Sequence, residues 1–212
     1  MKVVVISVPI MRPRVIQEVF YPVDGNKDIE YGKPVCCPIN GVLAKTMQKG
    51  ETVKVIYIMT TGPNSPFCEE IKERFRAELD RINKDEGIGA DIKYETVEMK
   101  FDATRHTHNK LITDLVDKIP ENAEIYADIT YGFKTENFAF ICALRFIEAF
   151  KDVDVKCIIY GKLEKDQETL QKNIHVMLYD ITTLYYLFKM IGSIENANAE
   201  SASKLLKDIF AL

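Results

Sequence analysis

The sequence predicts an α/β protein built on a doubly wound, mostly parallel sheet, and three observations carry that reading. Apolar, β-branched runs recur along the chain and alternate with amphipathic helical patterns. The first run, KVVVISV (Lys2 to Val8), is apolar without alternation, as a strand covered on both faces requires. The runs also stop at small, hydroxylated or flexible residues, where the carboxyl ends of parallel strands leave room for a ligand. Together these give a Rossmann-like architecture.

Taken in order, the first strand is followed by a stretch that breaks the rhythm. Between Gln17 and Pro38, short strand-like pieces surround the turn signal DGN, which predicts a hairpin insertion. A helix over NGVLAKTMQK comes next, with Asn40 read as its cap and ligand contact as that residue's alternative role. The strand Val53 to Thr61 leads to a helix with Ser65 as cap, Pro66 at its first position, and Phe67, Ile71, Phe75 and Leu79 on one face. Strand Asp91 to Met99 precedes a helix opening on Thr107. Strand Ala123 to Thr130 precedes one opening on Thr135. Strands Asp154 to Gly161 and Asn173 to Asp180 close the sheet. A helix capped by Thr182 or Thr183, a small-residue break from Gly192 to Asn198, and a short final helix end the chain. The expected division is a ligand-sensing domain over 1–190 and a C-terminal helical segment or linker over 191–212.

Composition narrows the function. The 212 residues suffice for one well-buried core rather than two. A formal net charge of -4 argues against a duplex nucleic-acid surface, which needs clustered Lys and Arg to displace phosphate counterions. Five cysteines without CxxC pairs fit a reduced, cytoplasmic protein, and no apolar run approaches a membrane span. No cofactor is expected, and no metal: His106, His108 and upstream Asp102 lack a third ligand imposed by spacing.

The strand ends supply the candidate site: Ser7 and Pro9, Thr60, Thr61 and Gly62, and the run from Asp128 to Thr135. In that run Gly132 permits a close backbone turn, Thr135 is the expected cap of the helix beginning at Glu136, and Lys134 offers a point charge for a phosphate. The same residues also describe an ordinary strand-to-helix loop with a solvated lysine. There is neither a GxxxxGK[ST] loop nor a GxGxxG fingerprint. Arg105, after the preceding strand, lies where it can reach the rim. Tyr57, Tyr126, Phe138, Phe140 and Phe146 fall on strand or helix patterns and are read as packing.

The segment ADITYGFKTENFAFICALRFIEAF resembles the one that marks CARF domains, the CRISPR-associated Rossmann-fold sensors of type III immunity. Their signature is an Asp-x-Thr-His-Gly run followed by a basic residue. Here the run is Asp128, Ile129, Thr130, Tyr131, Gly132, Phe133, Lys134, with Tyr131 in the histidine position and Lys134 where arginine is common. The resemblance covers most of residues 1 to 190 and resembles the sensor portion alone, without an attached effector. It implies a homodimer whose two signature turns face each other and bind one cyclic oligoadenylate, usually of four or six units, which switches a fused or separate effector. A two-fold ring suits an isologous dimer, and Tyr21, Tyr31, Tyr131 and Phe133 are aromatics near the expected surface for base stacking. The alternative is a ring nuclease of the same fold, in which a ribose 2′-hydroxyl attacks the adjacent phosphate without a metal while Lys134 stabilises the developing charge. No convincing general base lies in the turn, which favours binding. An unrelated Rossmann-like enzyme or structural domain is the third reading.

Overall fold

A computed structural model describes residues 1–63, 65–165, 173–191 and 198–210. Seven strands form one sheet in the order β2-β7-β6-β5-β1-β3-β4. They are β1 (Lys2–Ser7), β2 (Val23–Asp24), β3 (Thr52–Thr61), β4 (Asp91–Lys100), β5 (Glu124–Asp128), β6 (Asp154–Lys165) and β7 (Asn173–Asp180). The helices are α1 (Pro38–Thr46), α2 (Cys68–Asp85), α3 (Arg105–Lys118), α4 (Lys134–Phe150), α5 (Thr182–Ile191) and α6 (Ala199–Phe210). All strand pairs are parallel except β6 with β7. The doubly wound, mostly parallel sheet is therefore the observed fold.

Why β1 lacks alternation is plain from its surroundings. It lies at the centre, with Val4 and Ile6 in the core beneath α1 and α2 and Val3 and Val5 in the core beneath α3 and α4. Every residue of β1 is buried. Because the chain runs from β1 outward to β3 and β4 and then returns to β5 on the other side, the switch point falls between β1 and β5.

Several expected details differ. DGN does not make a hairpin: Gly25, at φ +95°, leads into a 3-10 turn at Lys27–Ile29, where Asn26 accepts the Asp28 N–H at 3.1 Å. Val23–Asp24 instead pairs parallel to β7 at the sheet edge, and a single antiparallel bridge between Val19 and Val35 closes the insertion. Ser65 donates to the Gly62 carbonyl instead of capping α2, which starts at Cys68. Thr104, not Thr107, caps α3 by accepting the Thr107 N–H, and Asp102 braces both threonines. The break expected from Gly192 to Asn198 lies outside the described residues except for Asn198, whose Oδ1 accepts the Ser201 N–H at the start of α6. Among the described residues no helix is long and apolar enough to cross a membrane.

Candidate functional site

The turn after β5 is held from three sides. Asp128 is buried at the strand end, and its Oδ1 accepts the Thr130 N–H at 2.8 Å, closing an Asx turn. Thr130 Oγ1 accepts the Gly161 N–H of β6 at 2.7 Å, and the Asn137 amide donates to the Ile129 carbonyl at 3.1 Å. Gly132 follows at φ +91°, a left-handed conformation that penalises a Cβ. A Cβ there would also lie 2.7 Å from Glu136 Oε1, so the carboxylate that receives the Phe133 N–H would have to shift.

The helix start corrects the expected cap. Helix α4 opens at Lys134, so Thr135 is its second residue; the capping acceptor is the Glu136 carboxylate, which receives the Phe133 N–H at 3.4 Å. Glu136 is itself buried, and burial pushes its carboxyl above the usual range. Burial likewise raises Asp128 to about 6, against the opposing pull of its hydrogen bonds from Thr130 and the Ile39 N–H at the start of α1.

Beside the turn lies a cavity of about 560 Å³. The loop after β1 supplies Met11 and Val15 to Gln17, the insertion supplies Tyr21, the turn supplies Thr130 and Tyr131, and β6 supplies Tyr160 to Glu164. A smaller hollow of about 250 Å³ lies between the loop after β1 and the loop after β3, with Arg12, Pro63 and Phe67 on its walls. Both open at the carboxyl ends of the parallel strands, where the topology places ligands.

Of the residues singled out from sequence, the structure brings Tyr21, Thr130 and Tyr131 to the large cavity. Tyr131 is half-buried, and its ring stacks on Phe75 at 6.1 Å, so one side is already occupied. Phe133 meets Phe101 edge-on at 4.9 Å. Lys134 is exposed at the first position of α4, and Gly62 is exposed at φ +122°. Arg105 is exposed at the first position of α3. Ser7, Pro9, Thr60 and Asp128 are buried beneath the rim, and Thr61 is turned toward the Met99 carbonyl at 3.2 Å.

Asn40 neither caps α1 nor reaches the surface. It is the third residue of the helix and fully buried, donating to the Phe75 carbonyl and to Glu78, both at 2.9 Å. Two residues assigned to packing are also displaced outward: Phe138 is 72% and Phe146 49% exposed, because α4 turns its Ala139, Phe140, Ala143, Leu144 and Ile147 side inward.

Sequence reasoning missed Glu78. It is buried in α2 and receives the Cys36 and Cys37 N–H groups at 2.6 and 3.0 Å, fixing the approach to α1. Its place beside Phe75 and Leu79 on the apolar side of α2 was the available signal. Among the described residues, Glu18, Cys36 and Glu78 form the one cluster with metal-compatible spacing. Glu78 is already committed to three donors and Glu18 pairs with Arg81 at 3.2 Å, so the cluster is spoken for by the fold.

Strand β6 was expected over Asp154 to Gly161, but its extension to Lys165 and its part in the site, with Tyr160, Lys162 and Glu164 on the far wall of the cavity, were missed. Their spacing of two along the strand puts them on one face, and only the fold sets that face beside the turn.

No protein-family model matches the sequence. Over 109 residues the chain is 28% identical to CRISPR-associated protein MJ1674 of Methanocaldococcus jannaschii. The match spans 46% of this chain and 17% of that protein, so the likeness reaches a fraction of the longer relative.

Proposed function

We propose that the protein is a CRISPR-associated sensor that binds a cyclic oligoadenylate of four or six units across a homodimer and thereby regulates an effector. The observation that carries this reading is the position of Thr130 and Tyr131: a braced, glycine-containing turn at the sheet's switch point forms one wall of the cavity of about 560 Å³. The N-terminus of α4 adjoins that turn and carries the positive end of a helix dipole, with Lys134 as its first residue. The likeness to the archaeal CRISPR-associated protein supports the same biological setting. In this reading residues 1–190 bind the ligand in the cytoplasm, and 191–212 lead toward the effector.

Binding is favoured over ring opening because the carboxylates of the turn, Asp128 and Glu136, are buried beneath it and engaged in holding it. Calorimetric titration with cyclic tetra- and hexa-adenylate, with linear oligoadenylate as control, tests the proposal. One ring should bind per two chains; absence of binding by both rings overturns it. Chromatography of the titrated ligand then separates a sensor, which returns the ring intact, from a nuclease, which returns linear product.

A further inference from the structure

Strands β6 and β7 form a hairpin that runs on past the rest of the sheet. Pairing of β5 with β6 stops at Asp128 and Ile159, whereas β6 continues to Lys165. Three bonds fix the direction of its main-chain groups. The Ile159 carbonyl accepts the Ile129 N–H at 3.0 Å and the Gly161 N–H donates to Thr130 Oγ1, so the odd-numbered residues face the β5 side. On β7, Leu178 lies opposite Gly161 and donates away from β6, to the Pro22 carbonyl at 2.8 Å, as a non-hydrogen-bonded position of an antiparallel pair must. Leu163, opposite Val176, is the next such position. The Gly161 carbonyl and the Leu163 N–H and carbonyl therefore follow one another along one strand edge, with no main-chain partner among the described residues.

That edge borders the cavity of about 560 Å³, whose wall takes in Tyr160 to Glu164. The charged groups among the lining residues are Lys162 and Glu164, and they pair with each other at 2.8 Å. The loop after β1 adds the apolar Met11, Val15 and Ile16, and Tyr160 is 40% exposed. A cavity with apolar flanks, no net charge and a row of main-chain donors and acceptors suits a flat, neutral heterocycle better than a phosphate. A free strand edge takes up a hydrogen-bonding ligand as it would take up a further strand.

We propose that this cavity is a nucleobase pocket in which the free edge of β6 reads adenine, the Gly161 carbonyl accepting from the exocyclic amino group and the Leu163 N–H donating to ring nitrogen N1. Adenine presents that donor and that acceptor side by side on its Watson–Crick edge, matching a carbonyl and the next N–H along a strand. Hypoxanthine carries an oxygen in place of the amino group and a proton on N1, so like groups would meet on the same edge. Cytosine shares adenine's order, and the choice of adenine rests on the ligand reading above. The labour is then divided: the turn and Lys134 hold phosphate, and β6 holds the base.

Main-chain recognition can be tested with a residue that lacks the donor. Proline has no N–H and is tolerated at a free strand edge, so Leu163→Pro removes the donor at little cost to the sheet, whereas Leu163→Ala shortens the side chain and keeps it. Titrated with adenosine monophosphate, Leu163→Pro should bind about tenfold or more weaker than Leu163→Ala, with melting temperatures within a few degrees of each other. A second measurement needs no variant: in the wild type, adenosine monophosphate should shift the Leu163 amide NMR signal, and inosine monophosphate at the same concentration should not. Equal affinities of two folded variants overturn the proposal. So do equal responses to the adenine and hypoxanthine nucleotides, a larger response to cytidine monophosphate, or no response of the Leu163 amide to adenosine monophosphate. None of these probes is a ring, so a pocket that takes the mononucleotide while both cyclic oligoadenylates fail in calorimetry supports this proposal and removes the ring reading alone.

Discussion

The chain uses the triplet Asp-Ile-Thr twice, at 128–130 and at 180–182, and the two copies behave alike up to the threonine and differently beyond it. In each, the aspartate Oδ1 accepts the N–H of the threonine two residues on, at 2.8 and 3.0 Å. In each, the threonine hydroxyl oxygen accepts a backbone N–H of β6, from Gly161 at 2.7 Å and from Ile158 at 2.9 Å. Thr182 is already helical, whereas Tyr131, Gly132 and Phe133 intervene between Thr130 and α4. The aspartate and threonine are thus fasteners that attach a strand end to β6. The glycine-containing extension is what brings the first copy to the cavity wall, so the proposed binding role falls on a different part of the motif from the fastening one.

The largest expected effect on that comparison comes from Asp128. Its pKa rises from the ordinary 3.8 to about 6 in the folded chain, so between those values the native state holds a proton that the unfolded state has released. Asp128 therefore favours folding most at pH 4 and below. Its contribution falls as pH rises toward 6 and is level above that. Denaturant titrations from pH 4 to pH 7 should show wild type losing up to about 3 kcal/mol relative to Asp128→Asn, which cannot titrate. Parallel curves for the two proteins would remove the buried-carboxyl account of the first fastener.

Next in size is Gly132→Val. Positive φ together with a Cβ at 2.7 Å from Glu136 should lower stability by about 2 to 3 kcal/mol, measured by chemical denaturation. A variant as stable as wild type would show that the extension relaxes freely. Because this change disturbs the fold, its ligand affinity does not distinguish a binding turn from a structural one.

Thr130→Ala and Thr182→Ala sharpen the comparison directly. Each strands a β6 N–H, and each should lose about 1 to 3 kcal/mol in the same assay. Only Thr130→Ala should also weaken cyclic oligoadenylate binding; equal loss of affinity from Thr182→Ala would break the division between the two copies. Lys134→Ala should change stability by less than about 0.5 kcal/mol, since the side chain is exposed. Loss of one phosphate contact from each subunit should nevertheless weaken binding about tenfold or more by calorimetry. An unchanged dissociation constant would leave the lysine merely solvated.

Much of this architecture was legible because buried parallel strands write an uninterrupted apolar code. KVVVIS and VKVIYIMTT could be assigned without knowing their partners, and the strand-end rule then located the rim. What remained hidden depended on contacts distant in sequence. Asn40 reads as a cap from its neighbours alone, yet Glu78, on another helix, draws it inward. Thr135 and Thr107 have the chemistry of caps, but Glu136 and Thr104 are better placed for the N–H groups concerned. The outward turn of Phe138 and Phe146 was obscured for a different reason: α4 is apolar on both sides, so periodicity does not say which side meets the sheet. Within the candidate site, the turn was visible as a local motif, whereas the β6 wall required the fold.

The carboxylate of Glu148 has a mechanical meaning. It receives Tyr185 Oη at 3.0 Å and Lys189 Nζ at 2.8 Å, tying the far end of α4 to two successive turns of α5. Helix α4 begins at the turn after β5 and, at 1.5 Å per residue, spans about 25 Å. A tilt imposed at its first residue would be carried along the helix to α5, with the Glu148 contacts as the hitch between them.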